Sequence, residues 1–250
     1  MLLSVNSKKT VHPEARNVVR LMRSLSTEVS HLRFQPPVTH VYNPLDYARG
    51  SAEAYVRRFV PAKCQWLFVG MNPGPWGMAQ TGVPFGEVKT VRDWMQISGT
   101  ISKPVPEHPK RPVLGFRCPR SEISGARLWG WVRERFGTPE RFFQHHFVWN
   151  YCPLSFMEEG GKNRTPDKLP TTERQPLFTA CDASLRALCE VLQPDQILGV
   201  GRFARLRAEA ALGTQYPIHE IPHPSPANPR ANQGWGMLVD QRLRTLSLSD

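Results

Sequence analysis

The sequence predicts an α/β chain, a three-layer α/β/α sandwich around a four-stranded parallel sheet. Short apolar runs bounded by turn residues, at 66–69, 145–150, 196–200 and 218–221, alternate with longer segments of helical period. Strands that alternate with helices run parallel and are covered on both faces, which suits such continuous apolar runs. No internal repeat, low-complexity tract or linker divides residues 1–250, so one domain is expected.

Each element follows from local chemistry. Residues 13–34 space Val18, Val19, Leu21, Met22, Leu25, Val29 and Leu32 at helical intervals, and Pro36-Pro37 ends that helix. The polar start, residues 1–10, is expected to be disordered. Residues 42–50 read as a loop and 52–59 as a short helix stopped before Pro61. The first strand, 66–69, ends at Gly70; residues 91–97 read as helical. Pro104, Pro106, Pro109, Pro112 and Pro119 forbid a regular helix over 102–119, and Lys103, Lys110, Arg111 and Arg117 make this an irregular basic loop. A helix over 124–136 is closed by Gly137, and the second strand, 145–150, breaks at Cys152-Pro153. A polar loop at 160–172 precedes a helix over 175–192; the third strand, 196–200, leads to a helix over 203–212; the fourth strand, 218–221, leads to a last helix over 235–246.

Lys and Arg outnumber Asp and Glu by 32 to 21, a net charge of +11, which suits nucleic acid or an anionic surface as partner, with a solvated basic surface as the plainer alternative. The five cysteines are odd in number and none pairs at zinc-knuckle or redox spacing, so no metal site is expected and the thiols should be reduced and buried. No run approaches the ~20 apolar residues needed to span a bilayer, and the first residues hold no long apolar core of the kind a signal peptide needs. The expectation is an intracellular protein: cytoplasm or nucleoid in a bacterium, nucleus in a eukaryote.

Two loops carry the chemistry, Gly70-Met71-Asn72-Pro73-Gly74-Pro75 and His223-Pro224-Ser225-Pro226-Ala227-Asn228-Pro229. In an open α/β sheet, ligands bind beyond the carboxyl ends of the strands, so these loops read as two walls of one site. Singly, Asn72 is a turn former, His223 a strand cap, Asn150 a buried turn residue and Phe85 ordinary core. Jointly, Asn72, Asn150 and His223 all fall within two residues of a strand's carboxyl end and supply two amides and an imidazole, with no carboxylate. No Gly-Lys-Ser/Thr follows the first loop, which excludes a P-loop.

Other classes fit less well. Gly199-Val200-Gly201-Arg202-Phe203-Ala204, followed by Glu220, resembles a dinucleotide-binding fingerprint, but on the third strand. A helix-hairpin-helix glycosylase could use the same turn, yet its catalytic partners are missing. Seven tryptophans, twelve phenylalanines and the basic excess would suit a non-catalytic single-strand binder, which has no need of the three polar residues at strand ends. Zinc deaminases require a Pro-Cys-x-x-Cys motif that is missing.

The segment Gly70-Met71-Asn72-Pro73-Gly74-Pro75-Trp76-Gly77-Met78-Ala79-Gln80-Thr81-Gly82-Val83-Pro84-Phe85-Gly86-Glu87-Val88 closely resembles the first motif of the single-strand-selective monofunctional uracil-DNA glycosylases. Phe147-Val148-Trp149-Asn150-Tyr151-Cys152-Pro153-Leu154 and the segment from His223 to Trp235 resemble the other two. The basic loop from Lys103 to Glu122 and Gly125-Ala126-Arg127 are also similar, so the likeness runs from about residue 40 to the C-terminus.

The resemblance implies the uracil-DNA glycosylase superfamily fold and excision of uracil and 5-hydroxymethyluracil from single- and double-stranded DNA. It implies Asn72 as the residue that positions water and His223 as the donor to the departing base. Phe85 would stack on the base, Asn150 would read its polar edge, and the backbone near Met71 would help hold O2. Gly74 and Met78 would lie near the 5-substituent, with glycine leaving it space. Pro224, Ser225, Pro226, Ala227, Asn228, Pro229 and Arg230 would enter the DNA as a wedge. Two residues depart from the family pattern: Ala227, where a long basic residue is usual, and Trp76, where phenylalanine is usual. No lysine lies in these motifs, so free base and an abasic site are expected, without strand cleavage. The implied enzyme is a monomer with DNA as partner and neither cofactor nor metal.

Overall fold

A computed structural model describes residues 12–247; the disorder expected for residues 1–10 lies outside the described residues. In chain order the elements are α1 Pro13–Ser30, β1 Val38–Tyr42, α2 Pro44–Tyr47, α3 Arg49–Phe59, β2 Trp66–Gly70, α4 Met78–Thr81, α5 Ile123–Phe136, α6 Pro139–Phe143, β3 His146–Asn150, β4 Ser155–Glu158, β5 Asn163–Arg164, α7 Thr171–Leu192, β6 Gln196–Val200, α8 Arg202–Leu212, β7 Ile218–Ile221 and α9 Trp235–Thr245.

The principal sheet has four parallel strands in the order β3-β2-β6-β7, as expected. Every residue of β2 and β3 is buried, because helices cover both faces. The chain moves from β2 to β3 through α5 and α6, and returns past β2 to β6 and β7 through α7 and α8. Right-handed crossovers place these two helix groups on opposite faces of the sheet. On one face α1 touches α3 and α7, and α7 touches α8; on the other, α5 touches α6 and α9.

Register sets the site. Gly70 pairs with Asn150, Val69 with Gly199, and Val200 with Ile221, so the strands end nearly level. The β2–β3 ladder continues beyond the strands, with Tyr151 N–H donating to Gly70 O and Cys152 N–H to Met71 O, both at 2.9 Å. Met71 and Asn72 therefore leave the sheet in a fixed direction.

Several expectations need correction. The first helix stops at Ser30 rather than residue 34, since Asn43 Nδ2 donates to Ser26 O and Ser30 Oγ and satisfies its last turn. Residues 42–50 are not a plain loop; they hold α2 and the start of α3. Residues 90–94 form a π turn, which ends where Gln96 takes a φ of 54°. The helix expected from 175 starts at Thr171 and runs through Pro176. A second, antiparallel sheet β1-β4-β5 went unpredicted; part of it lies in the expected polar loop at 160–172. The loop over 102–119 is irregular, with one 3-10 turn, and buried Gln80 holds it down. Gln80 Oε1 accepts from Leu114 and Gly115 N–H, and its Nε2 donates to Pro75 O and Pro112 O.

Candidate active site

Gly70 shapes the floor. A Cβ there would lie 2.3 Å from Asn150 Oδ1 and 2.6 Å from the Phe85 ring, so its absence lets amide and ring meet over the end of β2. Phe85 is held at a φ of 52°, a conformation costing a side-chain-bearing residue about 1–3 kcal/mol. Its carbonyl accepts from Trp129 Nε1 at 3.0 Å and from Glu87 N–H at 2.8 Å, which fixes the ring from behind. Gly125 makes this approach possible, because a Cβ there would strike Phe85 O at 2.1 Å.

Asn150 is buried, and its Nδ2 donates to Met78 Sδ at 3.1 Å. Its Oδ1 has no hydrogen-bond partner among the described residues, a debt of about 1–3 kcal/mol that a ligand N–H would cancel. The sulfur contact distinguishes the two ends of the amide. Asn72 Nδ2 donates to Leu154 O at 3.1 Å, and no hydrogen bond engages its Oδ1 among the described residues. An amide oxygen so left can orient a water molecule without taking its proton.

His223 lies two residues beyond β7. Its Nδ1 accepts from Ser225 N–H at 3.0 Å, and its carbonyl accepts from Asn228 Nδ2 at 3.0 Å. Loss of hydration lowers its pKa from the usual 6.5, so the ring is neutral at pH 7. With Nδ1 an acceptor, the proton sits on Nε2. Histidine ¹⁵N NMR at pH 7 is expected to show His223 as the neutral Nε2–H tautomer; a protonated Nδ1 would contradict the assignment.

The glycines of the apparent dinucleotide fingerprint have packing roles. Gly201, at a φ of 87°, clears the His223 side chain, since a Cβ would lie 3.0 Å from His223 Cβ. Gly199 lets α8 approach β6, and Glu220 accepts from Arg205 Nε at 3.0 Å. Both glycines therefore have packing reasons that require no pyrophosphate.

A cavity of about 400 Å³ gathers Met71, Asn72, Gly74, Phe85, Asn150 and His223, with Ser225 at its rim. Met78 is buried behind Asn150, outside this lining, rather than facing the cavity. The remaining loop residues form a braced projection. Arg127 donates to Pro224 O at 2.9 Å and Asn232 Oδ1 at 2.8 Å, while Pro226, Ala227, Pro229 and Arg230 are exposed.

Glu122, Ser124, Asn163 and Thr165 also line the cavity and were not anticipated. Glu122 matters most, because a carboxyl does belong to the site. Its Oε1 lies 1.6 Å from where a Cβ on Gly74 would be, so the space expected above that glycine is already taken. Dehydration, reinforced by the Glu87 charge, pushes its pKa up to about 7. Among the described residues no group of three or more His, Cys, Asp or Glu is placed to share a metal. The five cysteines are buried, as expected, and no helix of the described residues is long and apolar enough to cross a membrane.

Beside the cavity, Trp76 is flanked by Arg111 at 5.3 Å and Arg120 at 4.5 Å from its ring centre. A larger cleft of about 690 Å³, carrying Arg202, Arg205, Arg230 and Arg242, meets the cavity at His223.

Comparison with known proteins decides the family. Residues 57–241 match the sequence profile described as the uracil DNA glycosylase superfamily. The single-strand selective monofunctional uracil-DNA glycosylase of Rattus norvegicus is 49% identical over 227 residues, covering 90% of this chain and 82% of its own. The Bos taurus protein of the same description is 48% identical over 227 residues, covering 90% and 84%. The chain belongs to the uracil DNA glycosylase superfamily, in its single-strand selective monofunctional family. In fold it is similar to the crystal structure of wild-type SMUG2 from Pedobacter heparinus, with a TM-score of 0.66 at 18% identity over 94% of this chain and 97% of that one. For this glycosylase family member the likeness reaches beyond the stretch from about residue 40 that its motifs suggested.

Proposed function

We propose that the cavity receives one uracil extruded from DNA, and that Asn72, Asn150 and His223 hydrolyse its glycosidic bond. The carrying observation is the unpartnered Asn150 Oδ1 in a cavity shared by Phe85, Asn72 and a neutral His223. Extrusion costs a few kcal/mol, least for single strands, and stacking on Phe85 returns about 1–3 kcal/mol. Asn150 Oδ1 accepts from uracil N3–H, and the remaining Nδ2 hydrogen serves O4. Cytosine reverses that pattern, and the Met78 contact opposes the amide flip that would admit it. Each mismatched group costs about 1–3 kcal/mol.

Bond cleavage moves negative charge onto the base, and the Nε2–H of His223 meets it at O2, as an oxyanion hole does. Asn72 Oδ1 orients the water that captures the oxocarbenium-like sugar, and the proton that water loses passes to the departed uracil anion or to bulk water. No lysine lines the cavity to form a Schiff base, so the product is an abasic site in an unbroken strand. The arginine-rich cleft and the projecting loop track the DNA backbone, and Asn228, Pro229 or Arg230 fills the gap that Ala227 is too small to occupy. One chain carries every group, so a monomer suffices.

Oligonucleotides with a single uracil or 5-hydroxymethyluracil, incubated without metal or cofactor, are expected to become alkali-labile at that position. Direct strand cleavage, or no reaction, would refute the proposal. Gly74→Tyr must displace the Glu122 carboxyl from the turn, and is expected to abolish 5-hydroxymethyluracil release while retaining part of the uracil activity. Equal loss of both would overturn this expectation.

A further inference from the structure

We propose that Glu122 is a specificity-determining residue that hydrogen-bonds a polar 5-substituent on the bound base. The inference rests on the base-pocket reading above. Glu122 precedes α5 yet makes no capping bond with its side chain, and no hydrogen bond or ion pair engages its carboxyl among the described residues. The carboxyl instead lies against the loop after β2, with Oε1 1.6 Å from where a Cβ on Gly74 would be and Oε2 1.8 Å from the same point on Gly77. It lines the cavity with Phe85, Asn150 and His223. Glu122 is half-buried and its carboxyl has no partner among the described residues, so a ligand able to hydrogen-bond it there would gain a contact.

The base orientation supplies the partner. With N3 and O4 on Asn150 and O2 toward His223, the edge left over is C5, and the wall left over is the 74–77 turn under Glu122. A hydroxymethyl group at C5 offers both a donor and an acceptor. A carboxylate takes the donor, and a carboxylic acid can use either; burial and Glu87 hold this group near neutrality, where both forms are accessible. Uracil, with hydrogen at C5, leaves the carboxyl without a partner other than water. Glu122 thereby does what a bare glycine turn cannot: it favours oxidised 5-substituents instead of only making room for them.

Glu122→Leu and Glu122→Gln proteins, checked for folding by thermal melting, are compared with wild type on single-stranded oligonucleotides. Each oligonucleotide carries one uracil or one 5-hydroxymethyluracil, and single-turnover rates are measured. The ratio of 5-hydroxymethyluracil to uracil excision is expected to fall by about tenfold or more in Glu122→Leu, and by less in Glu122→Gln, which keeps hydrogen-bonding atoms. If Leu prevents folding, the Gln ratio decides. An unchanged ratio in the folded variants would overturn the proposal; a parallel loss of both rates would assign Glu122 to water activation or to bracing the turn. A wild-type chain inert on both substrates would instead overturn the base-pocket reading beneath it.

Discussion

A His223→Ala protein is expected to excise uracil about 10²–10³-fold more slowly than wild type, with little change in substrate affinity. The split follows from when the contact matters. In the ground state O2 is an ordinary carbonyl, and the imidazole adds a modest hydrogen bond. As the bond to the sugar breaks, O2 gains charge, and a donor already aimed by Ser225 and Asn228 needs no reorganisation. The loss therefore appears in kcat, and a rise in KM at constant kcat would contradict the assignment. The pH profile gives a second check. Burial lowers the His223 pKa from 6.5, so the ring stays neutral as pH rises through that value. No His223-dependent loss of rate is expected there, whereas a required imidazolium would titrate away.

Gly70→Ala is expected to lower activity about 100-fold while leaving the fold intact, since displacing a reading group by about 1 Å can cost that much. Alanine suits the last position of a strand, but its Cβ would press on Asn150 Oδ1 at 2.3 Å and Phe85 at 2.6 Å. Both are side-chain rather than backbone atoms, so the strand keeps its place while the held ring and amide must shift, and the base slot is what is lost. Uracil and cytosine discrimination should narrow as well, because the displaced amide no longer presents a fixed pattern. Gly50→Ala is the control, as a Cβ there meets nothing within 4 Å. Equal activity in the two variants would show that the space over Gly70 is not the base slot.

The principal sheet was legible because each of its strands is a short apolar run between turn residues, and parallel strands buried on both faces need little else. The second sheet was not. Val38 pairs with Glu158 and Tyr42 with Ser155, so the partners are remote in sequence, and the burial of 38–42 does not alternate. In the site, Asn72, Asn150 and His223 could be found by position alone, because they end or follow strands. Glu122 could not, for its place depends on how closely α5 approaches the turn at Gly74 and Gly77. Asn163 and Thr165 reach the cavity only through the second sheet and the segment after it. Met78 sits in the recognised motif, yet its neighbour is Asn150 rather than the open cavity, a distinction that spacing does not carry.

In the proposed mechanism, three uncharged polar side chains surround one extruded pyrimidine. A crystal structure of the protein with a single-stranded oligonucleotide bearing 2′-fluoro-2′-deoxyuridine, which resists hydrolysis, tests it most directly. Uracil is expected to be stacked on Phe85, with N3–H on Asn150 Oδ1, O2 on His223 Nε2 and a water on Asn72 Oδ1. Uracil seated in the arginine-lined cleft, or held without contact to Asn150 and His223, would contradict it.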